Sequence, residues 1–120
     1  MKHDTNRSIE NLVDKFKQST VAYFSACDAE NFKKQKAEAD RANKIIEAMD
    51  AFGDDGRSAL IPLLNDADQG IRVGAAAYLL KLMPQRATAV LEEIRNGPTI
   101  FPRLTAGEVL ESYAAGKWRE

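Results

Sequence analysis

Ile71-Arg72-Val73-Gly74-Ala75-Ala76-Ala77-Tyr78-Leu79-Leu80 and Pro102-Arg103-Leu104-Thr105-Ala106-Gly107-Glu108-Val109-Leu110-Glu111 carry one pattern, matching at Arg72/Arg103, Ala75/Ala106 and Leu79/Leu110. Each stretch reads as the second helix of a helix pair, so one pair occurs twice between Arg57 and Gly116. A single pair cannot bury its apolar face alone. Stacking neighbours makes a shared core and leaves an extended surface suited to binding.

Working back from the first stretch, Asn65-Asp66-Ala67-Asp68-Gln69-Gly70 is a turn in which Asp66 or Asp68 caps the helix that follows. That helix is expected to end at Met83, with Ile71, Ala75, Tyr78, Leu79 and Leu82 inward and Val73 and Leu80 outside the core. Before the turn, a short helix from Ser58 to Leu64 contains Pro62, and Asp54-Asp55-Gly56 is a turn. Working forward, Pro84 suits a first helical position, and Ala87, Val90, Leu91 and Ile94 form an inward stripe before Gly97. Pro98 or Thr99 opens the last helix, whose expected face is Ile100, Leu104, Gly107, Leu110 and Tyr113 and which Gly116 ends. Gly107 in mid-helix predicts close approach of a neighbouring backbone.

Upstream, Ser8 is placed to cap a helix through Ile9, Leu12, Val13, Phe16, Thr20, Tyr23, Phe24 and Cys27, ending near Ala26. Asp28 is placed to cap a second helix through Phe32, Ala39, Ala42, Ile45, Ile46, Met49 and Phe52, stopped by Gly53 at positive φ. Its middle is polar, and Glu30 with Lys34 and Asp40 with Lys44 have the favoured acid-first spacing. The fold expected is all-α: one domain over 1–120, arranged as a right-handed α-solenoid of about three helix pairs, roughly six helices in all. Its parts are an N-terminal hairpin over about 8–53 and repeat units over about 57–83 and 84–116.

The run from Ala59 to Leu80, with its Leu-rich first helix, Asp-rich turn, Ile71-Arg72 pair and Ala-rich second helix, resembles a HEAT-type repeat unit. With the continuation Met83 to Ile94 and the polar hairpin in front, the chain from about Ile9 to Ala115 resembles the bacterial family known as domain of unknown function 2019. The resemblance implies a HEAT-like fold with no assigned catalytic residue. It also implies kinship with small bacterial proteins found beside secreted toxins as candidate immunity proteins. Pro102 departs from the repeat, standing where the first unit has an aliphatic residue.

Composition bounds the function. Seventeen Lys and Arg against eighteen Asp and Glu give a formal charge of −1, with no overall pull toward nucleic acid or anionic membrane. One cysteine, Cys27, excludes an internal disulfide, and with the lone His3 it cannot build a structural zinc site. Cys27 ends an apolar stripe and reads as a small buried hydrophobe. The polar N-terminus and the short apolar runs predict a cytoplasmic protein with no membrane segment.

No nucleophile-base-orienter set, phosphate loop or H-E-x-x-H helix occurs, so no catalytic, cofactor or metal residue is expected. Between Glu47 and Asp68, Glu47, Asp50, Asp54, Asp55, Asp66 and Asp68 face a single base, Arg57, and their spacing is not that of an EF-hand. The acidic turns either cap and solubilise, or offer Asp54, Asp55, Asp66 and Asp68 to a basic protein surface such as a toxin domain. Arg72 and Arg103 either bond the Asp-rich turns Asp66 and Asp68 or reach an acidic partner. Trp118 is either a lid over the final helix pair or an exposed anchor. The expected function is non-enzymatic protein binding, immunity to a toxin being its sharpest form. The rivals are a HEAT-type nucleic-acid-binding or cofactor-attachment protein and an orphan structural scaffold.

Overall fold

The structure, a computed structural model, describes the backbone of residues 2–118 and side chains from Thr5 onward, so the His3 side chain lies outside the described set. Among these residues there are six α-helices, one 3₁₀ turn and no strand. The all-α class expected from the periodicity is therefore observed. Backbone contacts divide the chain into two units, 1–60 and 61–120.

In the first unit α1 (Lys2–Asp28) and α2 (Phe32–Asp50) form a hairpin. Ser8 is not its cap. It lies exposed inside α1, which starts about two turns earlier than the Ser8 signal suggested. Nor is Asp28 the cap of α2, because the chain first turns through Glu30 at φ 55° and Asn31 takes that place, its side chain accepting from the Lys34 N–H at 3.1 Å. Phe16, Met49, Ile45, Ile46 and Cys27 are buried, whereas Phe32, expected on the inner stripe, is 75% exposed. Ser19, buried in the hairpin, donates to the Glu38 carbonyl at 2.9 Å and so ties α1 to the polar middle of α2. The ion pairs along that middle are the base-first Lys36 to Asp40 at 3.2 Å and Arg41 to Glu38 at 3.4 Å, in place of the expected Asp40 to Lys44.

Gly53 stands at φ 72°, ψ −154°, backbone open only to glycine, and leads into α3 (Asp54–Ser58), so Asp54-Asp55-Gly56 is helical and not a turn. α3 folds back on α2 closely enough that a Cβ on Gly56 would collide with the Met49 carbonyl.

The second unit begins with the 3₁₀ turn Ile61–Asn65, tighter and later than the helix expected over Ser58 to Leu64. α4 (Gln69–Leu79) packs against this turn, α5 (Pro84–Arg95) and α6 (Ile100–Ala114), and α5 packs against α6. α4 stops at Leu79 and not at Met83. Two expectations about its face are reversed: Val73 and Leu80 are fully buried, and Leu82 is 38% exposed. A helix crowded on several sides is buried beyond a single stripe. α5 follows expectation, with Pro84 in its first turn and Ala87, Val90, Leu91 and Ile94 buried.

In α6 the buried residues are Pro102, Ala106, Val109 and Leu110, while the expected Ile100, Leu104 and Tyr113 are exposed. Pro102 fits because the N–H it lacks, in the first turn, has no helical partner to lose. Gly107 has open space where a Cβ would go, so close backbone approach is not its reason. No helix among the described residues is long and apolar enough to cross a membrane.

Candidate functional site

The turn before α4 shows what the acidic residues do locally. Asp68 caps the helix, its Oδ1 accepting from the Ile71 N–H at 3.0 Å, and Asp66 Oδ1 accepts from the Asp68 N–H at 2.9 Å. Arg72 bonds other groups. Its Nε donates to the Leu64 carbonyl at 2.9 Å, and its two terminal nitrogens reach the Glu93 carboxylate on α5 at 3.0 and 3.4 Å. The expected bond from Arg72 to the Asp-rich turn is thus replaced by a clamp joining the 3₁₀ turn, α4 and α5. The Arg72 hydrogen bonds and charge hold the Glu93 carboxyl below the usual glutamate range. Arg103, the counterpart on α6, is exposed and has no such bond among the described residues.

Arg57 was not singled out by the sequence as a structural residue. It is buried, its Nε donating to Asp50 Oδ1 at 2.9 Å and a terminal nitrogen to Oδ2 at 2.5 Å. This fixes α3 against the end of α2 and pairs the charge of Asp50, whose side chain stays 47% exposed. The signal was present, since Arg57 is the single base in the Glu47 to Asp68 segment. Asp54 and Asp55 stand exposed in the first turn of α3, and the Gly53 cap supplies no side-chain bond there. No group of three His, Cys, Asp or Glu residues among those described is close enough to hold a metal. Cys27 is buried, and loss of hydration pushes its thiol pKa up, away from nucleophilic use.

Trp118 is positioned by glycine chemistry. Gly116 at φ 71° lets the Lys117 N–H reach back to the Ser112 carbonyl at 2.8 Å, closing α6 in a Schellman turn that reverses the chain. The indole N–H then donates to the Ala77 carbonyl at 2.9 Å, meeting one of the carbonyls orphaned at the end of α4. Its ring lies 6.5 Å from that of Tyr78. Trp118 thus sits half-buried against the end of α4, not over the final helix pair α5 and α6. With Leu80, Lys81, Pro84 and Tyr113 it lines an open cavity of about 460 Å³.

The chain is similar in structure to the protein RPA1889 from Rhodopseudomonas palustris CGA009, known from a crystal structure. The two share 23% identity over 93% of each chain, with a TM-score of 0.83. At that identity the likeness concerns the fold. No family model matches the sequence, and no curated protein does.

Proposed function

We propose that this chain is a non-enzymatic protein-binding module, built as a HEAT-like right-handed α-solenoid and acting in the bacterial cytoplasm to neutralise a toxin. The observation that carries the reading is a pair of neighbouring aliphatic side chains left half in water on one helix of the second unit: Ile100 and Leu104 on α6 are 56% and 52% exposed. The aromatic cavity beneath Trp118 lies in the same unit. On the same helix Val109 and Leu110 are turned inward, so Ile100 and Leu104 are left for an outside contact. The exposed pair Asp54 and Asp55 supports a basic partner, since neither side chain caps the helix it opens. The resemblance to candidate immunity proteins supports a toxin as that partner.

The test is co-expression with the product of the adjacent gene. The neighbour is expected to arrest growth when expressed alone and to be rescued by this protein. A harmless neighbour, or one that kills equally with and without this chain, overturns the toxin reading.

A further inference from the structure

α4 and α6 carry the two matching stretches of sequence, 71–80 and 102–111, so their surfaces can be compared position by position. Along one strip of α4, Val73, Ala76 and Leu80 are fully buried and the Arg72 side chain is only 14% exposed, clamped by Glu93 from the next helix, α5. The matching strip of α6 is Arg103, Leu104, Gly107 and Glu111. Here Arg103 is bare, Leu104 is half exposed, Gly107 faces open space and Glu111 is exposed, with Ile100 continuing the strip at its start. The chain supplies α5 to receive Arg72, and nothing among its described residues receives Arg103.

We infer that the α6 strip docks an amphipathic helix of a partner protein that brings a carboxylate to Arg103, as α5 brings Glu93 to Arg72, and lays apolar side chains over Ile100 and Leu104. The inference rests on the reading of the chain as a protein-binding module and names the face and the partner's chemistry. Charge complementarity selects the occupant: the strip opens with a guanidinium whose fork matches a carboxylate, and it ends on Glu111, which favours a base toward the other end of the incoming helix. Gly107 lets that helix approach closely, since no side chain rises between Leu104 and Glu111 on this line. The arrangement is helix-in-groove recognition with a charged register mark.

The probe is the chain's own template, a peptide of residues 83–97 made helical by a hydrocarbon crosslink between positions 85 and 89, both exposed in α5. Titrated into the full-length protein, it is expected to bind saturably and to shift the backbone amide resonances of Arg103, Leu104 and Gly107. Arg103→Glu should weaken binding by about tenfold or more, and a Glu93→Arg change in the peptide should restore most of the loss. Leu104→Asp, at an exposed position, should abolish binding without unfolding the protein. Absence of saturable binding at millimolar peptide overturns the inference, as does binding indifferent to Arg103. Self-association that Leu104→Asp abolishes would give the strip to a second copy of the chain and overturn it too. If the Arg103→Glu, Leu104→Asp double variant still rescues cells from the toxic neighbour, the inference fails while the toxin reading stands. If rescue fails while the peptide binds as expected, the reverse holds.

Discussion

Arg72 is where residue chemistry and repeat architecture meet. One guanidinium satisfies the Leu64 carbonyl and forks onto Glu93, so it couples three elements that are separate in sequence. Arg72→Ala is expected to cost about 1–3 kcal/mol, because it leaves a carbonyl without its donor. Arg72→Ala and Glu93→Gln should combine non-additively in denaturant melts, since both remove one shared bond. Glu93 also sets a pH dependence. Its folded pKa is depressed by Arg72, so its contribution to stability is present above the pKa of an unfolded glutamate, about 4.3, and is lost as pH falls through the lower folded value. Glu93→Gln should flatten that acid limb, and an unchanged limb would remove the clamp as its cause.

α6 shows at the scale of an element what its sequence hides. Ile100, Phe101, Leu104, Val109 and Leu110 distribute apolar residues around the helix, so spacing alone selects no single face. The inward face is chosen by packing against α4 and α5, a tertiary fact. By contrast, features governed by local chemistry were legible: Pro84 opening α5, positive φ at Gly53, Gly116 closing α6, and Asp68 as one of two possible caps for α4. The cap of α2 was misplaced at Asp28 because an Asp side chain accepts as well as that of Asn31, while the turn through Glu30 that moves the helix start to Asn31 is set by the hairpin. The Arg72 clamp was half legible: its structural role follows from the repeat, its partner Glu93 only from the packing of α5 on α4. The open space at Gly107 yields a test of the α6 register. Gly107→Ala should stabilise the protein by up to about 1 kcal/mol, because the helix gains alanine's propensity and meets no neighbour. Leu110→Ala, at a buried position, should cost about 2–5 kcal/mol. A destabilising Gly107→Ala measured in the same melts would mean that the face is covered.

For the whole molecule, the near balance of charge conceals local differences in what each carboxylate is free to do. Asp50 is engaged by buried Arg57, and Asp66 and Asp68 organise the turn before α4, so removing any of these alters folding as well as surface charge. Asp54 and Asp55 are different. Exposed on α3 and making no cap bond, they are the acids whose charge can be changed with the least structural consequence, apart from a small interaction with the helix dipole. Replacing both with Asn should leave the melting temperature nearly unchanged. If the partner is basic, the same double variant should slow association and weaken its dependence on ionic strength while leaving dissociation close to that of the parent, because exposed charges act through long-range attraction that salt screens. Stopped-flow association measured at low and high salt separates these effects. A parent association rate indifferent to salt would mean that the partner is recognised without the acidic face, leaving the apolar strip of α6 and the cavity under Trp118 as the surfaces that bind it.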